Sequence, residues 1–315
     1  MIVSKWSNKT ILITGGAGFI GKNLAAKLLN ENAKVYILDD FSYAPFSNVK
    51  NNVMNSAELI IADVSDSLQF NESLSKKDID FIFHFAAPSS VVLFNRDPVK
   101  CFNKTVAGIL NVFYYAREKD VQKVIFPSSG SVYGELPPPQ SEDQNPRPVN
   151  LYGIAKLTTE YIAQYFAEHV KYLVLRIFAG YGLGEEHKGD YASPVTLFLD
   201  SIVNNKPPII YGDGSQSRDF VYVDDVVNAV LRSAESSFSR GVINVGSGRS
   251  HTFNEAVSMI NELLGKEIKP KYVKKPEFYL EKTCADIRRM KEILSLDPLD
   301  LYDGLKKYLE SSSKI

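Results

Sequence analysis

The stretch Ile11-Leu12-Ile13-Thr14-Gly15-Gly16-Ala17-Gly18-Phe19-Ile20-Gly21 decides the fold. An apolar strand runs straight into a glycine-rich turn, and the residues from Lys22 to Asn30 then carry helical apolar spacing. Strand, glycine turn and helix in that order make a phosphate-binding unit. Gly15 allows the tight turn, Gly18 lets backbone approach a pyrophosphate, and Gly21 lets helix and strand pack closely. The helix start adds amide hydrogens and the positive end of its dipole. A second strand ends in Asp39-Asp40, where a carboxylate can accept from adenosine ribose hydroxyls. Such a carboxylate repels a 2′-phosphate, and Ser42 and Tyr43 follow with no nearby arginine to reward one. The pattern therefore predicts NAD in preference to NADP. Asp63, ending a third strand, is placed either to meet the adenine or to cap a helix beginning Asp63-Val64-Ser65.

Working outward, short apolar runs alternate with longer amphipathic stretches, the pattern of βαβ units. Strands are expected over 10–14, 34–39, 58–62, 80–86, 123–128 and 172–178, each rich in Ile, Val or Phe as a strand covered on both faces should be. Helices are expected over 22–30, 99–118 and 151–170. The fold class is thus α/β, a Rossmann-type doubly wound parallel sheet, with a smaller, partly interleaved C-terminal substrate region. Beyond Gly180 the alternation weakens, and Pro207-Pro208, Gly212-Asp213-Gly214, Gly246-Ser247-Gly248 and Pro276 punctuate shorter elements. The expected division is 1–179 for dinucleotide binding, with a return segment near 217–246. Residues 180–216 and 247–315 then form the substrate region.

The bulk composition narrows the class. The chain has 315 residues, 44% hydrophobic and 23% charged, with formal net charge -1. That balance gives no electrostatic reason to expect nucleic acid or a membrane surface as partner. No run approaches the length of a membrane-spanning helix. The opening Met1-Ile2-Val3-Ser4-Lys5-Trp6 lacks a long apolar region after a basic one, so no signal peptide is expected. Cys101 and Cys284 are the only cysteines and lie far apart, which argues against a disulfide framework or thiolate zinc site and fits a cytoplasmic location. The four histidines, His84, His169, His187 and His251, never pair at metal-ligand spacing, so no metal is expected.

The chemistry-bearing residues come later. The fifth strand ends in Pro127-Ser128-Ser129-Gly130-Ser131-Val132-Tyr133-Gly134, and Tyr152-Gly153-Ile154-Ala155-Lys156 opens a long helix. Four residues apart, Tyr152 and Lys156 share one helical face. An ammonium beside the phenol, with an oxidised nicotinamide ring, should lower the tyrosine pKa towards working pH. Such a tyrosine can take a proton from a sugar hydroxyl while hydride leaves the same carbon. A serine at the strand end can hydrogen-bond that oxygen. A Tyr-x-x-x-Lys pair alone is weak, because an aromatic on a helix is usually core; behind a dinucleotide-binding half and beside a serine strand end it gains force.

Over nearly its whole length the chain resembles the extended short-chain dehydrogenase/reductases. The resemblance rests on residues 14–21, His84-Phe85-Ala86-Ala87, Ser131-Val132-Tyr133-Gly134, Tyr152-x-x-x-Lys156, and Gly212-Asp213-Gly214-Ser215-Gln216-Ser217-Arg218-Asp219-Phe220. It implies catalytic Ser129, Tyr152 and Lys156, with Ala86 and Ala87 along the cofactor and Lys156 on the nicotinamide ribose. The expected cofactor contacts are Gly15, Gly18, Phe19, Ile20 and Gly21, then Asp39, Asp63 and Val64, then Phe85, Ala86 and Ala87, with Tyr152 and Lys156. A homodimer is implied, through a four-helix bundle of the helices over 99–118 and 151–170.

Within that family the two residues after Ser129 discriminate. Nucleotide-sugar 4,6-dehydratases carry an Asp-Glu pair there, and decarboxylases a glutamate at the second position. Gly130 and Ser131 can serve as neither acid nor base near neutral pH. The chain therefore looks like the UDP-galactose 4-epimerases, which need only hydride removal, rotation of the keto sugar and hydride return. Residues 185–193 resemble a loop of ADP-glycero-manno-heptose 6-epimerase, whose lysine there is catalytic. Lys188 is thus a second proton-transfer group, a phosphate or sugar ligand, or a solvated lysine. Arg218 suits a diphosphate, or pairs with Asp219 or Asp224-Asp225. Ser89, Ser129, Tyr152 and Ala179 complete the expected substrate contacts. Ala179 and Thr105 both replace an asparagine usual in relatives. The alternatives are a heptose 6-epimerase, a 4-ketosugar reductase, or a binding module that senses NAD without catalysis.

Overall fold

The structure, a computed structural model, describes residues 4–49, 56–275 and 280–312. Met1 to Val3 of the opening segment and Pro276 lie outside them. The main strands are β1 (Thr10–Thr14), β2 (Lys34–Asp39), β3 (Glu58–Ile61), β4 (Phe81–His84), β5 (Lys123–Ser129) and β6 (Tyr172–Ile177), with a seventh, Arg240–Val245. Among the described residues they form one sheet in the order Arg240–Val245, β6, β5, β4, β1, β2, β3. The pairs joining β3, β2, β1, β4 and β5 are all parallel. The order reverses on either side of β1, the switch point at which such sheets bind ligands. This is the Rossmann-type sheet that the alternation predicts.

Five helices, α1 (Phe19–Asn30), α2 (Ser67–Leu74), α3 (Val91–Arg96), α4 (Pro98–Glu118) and α5 (Leu151–Tyr165), fall between these strands. Local signals set their ends. Asp97 caps α4 by accepting from the Lys100 amide, with Pro98 at the first helical position. Asn150 does the same for α5, accepting from the Gly153 amide at 2.9 Å. The α5 helix stops at Tyr165, short of the expected residue 170. There Phe166 bonds back to Ala163 and His169 to Phe166, so the last turns tighten to three-residue spacing. No helix among the described residues is long and apolar enough to cross a membrane.

The chain forms two compact units. The first takes in the described residues up to 128, with 154–175 and 230–242; the second takes in 129–153, 176–229 and the described residues from 243 onward. Leu12, Leu38, Ile82, Val112, Phe113, Phe126 and Phe166 pack the core of the first unit. In β1, Ile11, Leu12 and Ile13 have no exposed surface, as a strand covered on both faces requires. The second unit contains α6 (Pro194–Val203), α8 (Phe253–Leu264), α9 (Arg288–Leu294), α10 (Leu301–Ser311) and much of α7 (Val223–Glu235). Short strand pairs join Ala179–Tyr181 to Phe220–Tyr222, Ser217–Arg218 to His251–Thr252, and Ile209–Tyr211 to Lys271–Val273.

A buried lysine in the first unit has all its donors used. Lys123, at the start of β5, donates to the Ser233 carbonyl at 2.7 Å, the Ser236 carbonyl at 3.1 Å and the Ser236 hydroxyl at 3.3 Å. Burial, helped by Lys171, pulls its pKa down to about 8. Replacing it by methionine leaves those acceptors without a donor. Lys123→Met is expected to cost about 1–3 kcal/mol of stability, read as a lower denaturant midpoint at unchanged slope. An unchanged midpoint would show the bonds to be energetically neutral.

Candidate active site

Most of the residues expected to meet the dinucleotide lie in the first unit. Gly15 has φ +70, and a Cβ there would lie 2.5 Å from the Ala86 amide nitrogen. The loop therefore lies directly on the backbone that continues β4, and only glycine fits. Gly18 is the N-cap of α1 and provides no side-chain cap. The first-turn amides, with Phe19 buried and Ile20 half-buried, suit a pyrophosphate. The backbone of Phe85, Ala86 and Ala87 is held near β1, the Phe85 amide donating to the Thr14 carbonyl at 2.8 Å.

Asp39 is buried, and its carboxylate accepts from the Ala17 amide and the Phe41 amide, each at 2.9 Å. Burial pushes its pKa up, and those two amides oppose the shift. The residue fastens the glycine-rich loop to the end of β2, while carboxylate lone pairs remain for hydroxyl donors. Asp63 does not cap a helix: Asp66 caps α2, accepting from the Leu68 and Gln69 amides. Asp63 instead accepts from the Ser65 amide and hydroxyl, and from Lys104 at 2.8 Å. Lys104 also meets Asp40 at 2.5 Å, so one ammonium of α4 neutralises carboxylates following β2 and β3. Val64 is buried, and its carbonyl accepts from Asn111 at 2.9 Å. Sequence reasoning missed Lys104, since no spacing rule links a helical lysine to two distant strand ends.

The second unit brings Ser129 and Tyr152 together. The Ser129 hydroxyl accepts from the Ser131 amide at 3.1 Å and hydrogen-bonds the Tyr152 phenol. Burial raises the phenol pKa, and the Ser129 contact opposes that rise. The expected lowering belongs to a phenol beside both Lys156 and an oxidised nicotinamide ring; burial by the chain itself acts in the other direction. Desolvation is the larger effect, and the Ser129 hydrogen bond works against it. A buried polar network supports the turn after Ser129. The Tyr133 hydroxyl donates to Asn244 at 2.7 Å and accepts from Arg176 at 2.9 Å. Tyr133 stands in the quoted strand-end sequence, but Arg176 and Asn244 carried no sequence signal of this role.

In the first unit, Lys156 is buried and donates to the Pro127 carbonyl at 3.2 Å, and burial lowers its pKa to about 8. His84 is packed rather than exposed: its Nδ1 lies 2.7 Å from the Thr14 hydroxyl. Burial, and then the charge of Lys156, bring its pKa down to about 3, so it is neutral at physiological pH.

The expected substrate residues are more dispersed. Ser89 is exposed, and Ala179 is half-buried with its amide on the Asp219 carbonyl. Lys188 is not a solvated lysine: it meets the buried Glu185 carboxylate at 2.8 Å, with 14% of its side chain exposed. Glu185 also accepts from the Ser193 amide and the Thr196 hydroxyl. Arg218 donates to the Ser217 carbonyl and lies 5.5 Å from the centre of the Phe253 ring. Asp219 is engaged elsewhere, by Ser247, Gly248 and the Ala285 amide, and Asp225 accepts from the Leu299 amide.

Sheet order and glycine turn define a Rossmann-type chain built to take a dinucleotide. Residues 11–246 match the NAD dependent epimerase/dehydratase family. A UDP-glucose 4-epimerase from Thermotoga maritima, solved with UDP-glucose, superposes with TM-score 0.90 at 32% identity, covering 96% of this chain and 97% of that one. The ADP-L-glycero-D-manno-heptose-6-epimerase of Helicobacter pylori gives TM-score 0.85 at 34% identity, covering 98% and 97%. UDP-glucuronic acid decarboxylase 5 of Arabidopsis thaliana is 30% identical over 310 residues, 95% of this chain and 88% of that protein. The chain belongs to the NAD dependent epimerase/dehydratase family, and NAD is its cofactor.

The uncapped start of α1 gives a direct test. Gly18 has an extended conformation that other residues adopt, a Cβ there would lie 3.2 Å from the Gly15 carbonyl oxygen, and aspartate is a favoured N-cap. Gly18→Asp is expected to leave stability within about 1 kcal/mol. NAD affinity should fall roughly tenfold or more, because the new carboxylate takes the amides and repels the pyrophosphate. Calorimetric titration with NAD checks this; undiminished affinity would remove the α1 amides from the cofactor site.

Proposed function

We propose that the chain is a UDP-hexose 4-epimerase that retains NAD through turnover and works through a transient 4-keto sugar. The observation that carries this reading is the pair of residues following Ser129. A Cβ on Gly130 would come within 3.1 Å of the Phe178 ring, and Ser131 is neutral. Neither position offers the carboxyl group that dehydration or decarboxylation requires. What remains is a serine, a phenol and an ammonium, enough for reversible oxidation of one carbinol.

In this reading Tyr152 accepts the C4 hydroxyl proton and later returns it. Ser129 hydrogen-bonds the same oxygen and favours the phenolate. Lys156 holds positive charge on the same helical face and binds the nicotinamide ribose. NAD, when bound, supplies the hydride acceptor and donor. Its contacts are proposed to be Gly15, Gly18, Phe19, Ile20, Gly21, Asp39, Asp63, Val64, Phe85, Ala86 and Ala87. Ser89, Ala179, Lys188 and Arg218 are proposed to face the nucleotide sugar. The division of labour follows the sequence: residues 1–179 with about 217–246 for NAD, and 180–216 with 247–315 for substrate.

A heptose 6-epimerase is the second reading, favoured by Lys188, since its contact with a buried carboxylate holds the lysine at one place. A 4-ketosugar reductase would use the same groups but consume cofactor. We also infer a homodimer. Leu151, Ile154, Tyr161 and Tyr165 form an exposed apolar stripe along α5, and Val99 and Tyr114 are exposed on α4. A cytoplasmic location fits two unpaired cysteines.

Purified protein given UDP-galactose without added NAD should form UDP-glucose. A strict need for stoichiometric cofactor would contradict retained-cofactor epimerisation. Tyr152→Phe should lower kcat by about 100-fold or more and still bind NAD; unaltered turnover would remove the phenol from the chemistry. A solution mass equal to a single chain would rule out the dimer.

A further inference from the structure

We propose that Glu160 is a positioning residue for the reaction, acting through Ser128 to hold the end of β5 and so the Ser129 hydroxyl. Tyr152, Lys156 and Glu160 follow at four-residue intervals on α5 and share one face. Two of them grip consecutive residues of β5. Lys156 donates to the Pro127 carbonyl at 3.2 Å, and Glu160 accepts from the Ser128 hydroxyl at 2.5 Å. Ser129 is next in the chain.

The Glu160 contact is costly to build, which points to a purpose. Ser128 is 2% exposed and Glu160 7% exposed. A carboxylate is rarely that buried unless hydrogen bonds satisfy it, and a hydroxyl donating to it makes a charge-assisted bond. An apolar pair of the same size would pack here without that cost. The pair does what apolar contact cannot: it fixes the strand end against sliding along α5 or turning about its own axis, because hydrogen bonds are directional. Ser129, one residue further, must meet the Tyr152 phenol closely enough to favour its ionised form. A displacement of about 1 Å at a reacting group can cost 100-fold in rate. Nothing in this role requires Glu160 to touch sugar or cofactor.

The inference rests on the reading that Ser129 and Tyr152 perform the chemistry. Its test is a set of variants assayed with UDP-galactose: Glu160→Ala, Glu160→Gln, Ser128→Ala, and Glu160→Ala with Ser128→Ala. Glu160→Ala is expected to lower kcat roughly tenfold or more, with KM within about twofold and NAD content unchanged. Glu160→Gln keeps an oxygen that accepts from Ser128 and should recover most of the rate. The double variant should fall no further than Glu160→Ala alone. Unchanged kcat in Glu160→Ala, matching losses in kcat and affinity, or losses that multiply in the double variant would overturn it. If Glu160→Ala does not fold, the comparison passes to the milder pair: Ser128→Ala slow and Glu160→Gln near wild type supports the inference, and the reverse overturns it. If the wild-type chain leaves UDP-galactose untouched, the 4-epimerase reading fails, and a crystal structure of Ser128→Ala still decides this one. There the Ser129 hydroxyl should have left the Tyr152 phenol; an undisturbed contact contradicts the proposal.

Discussion

The contact between the Ser129 hydroxyl and the Tyr152 phenol is the interaction on which the rest of the site depends. A phenol buried without a partner holds its proton too tightly to act as a base near neutral pH, and burial does raise Tyr152. The serine hydroxyl is what this chain sets against that cost. Both groups lie at places fixed by backbone: Ser129 at the carboxyl end of β5, Tyr152 in the first turn of a helix capped by Asn150. The Tyr133, Arg176 and Asn244 network then braces the turn that leaves Ser129.

In the first unit, a single ammonium serves two carboxylates. Lys104 neutralises Asp40 and Asp63, which lowers both carboxyl pKa values against the opposing effect of burial. Asp39 is spared that ammonium contact and takes amide hydrogens instead. Lys156 and His84 sit in the first unit under the reverse constraint. Burial disfavours their charged forms, and the histidine responds by staying neutral. Burial brings Lys156 to about 8, close to working pH.

Much of this was legible in the sequence, for physical reasons that differ by residue. The six predicted strands are all present, two with the expected bounds, because strands buried on both faces must be almost wholly apolar. The glycine turn was legible since close backbone contact leaves no choice of residue at Gly15. Asp63 was half legible: its short side chain could cap a helix or face a ligand, and only the structure assigns the cap to Asp66. Lys104, Glu160, Arg176 and Asn244 were not legible. Each acts on a partner distant in sequence or on another element, and pairing at that range leaves no local period. The desolvation of Tyr152 was likewise hidden, because it depends on how deeply the chain packs around the phenol.

The central claim is that the phenol of Tyr152 is the group that meets the reacting carbinol. A crystal structure with NAD and UDP-glucose bound tests it most directly. The account predicts the Tyr152 oxygen within hydrogen-bond distance of the sugar O4, with the Ser129 hydroxyl on the same atom. A sugar whose O4 lies beyond the reach of both, with another side chain in that place, would contradict it.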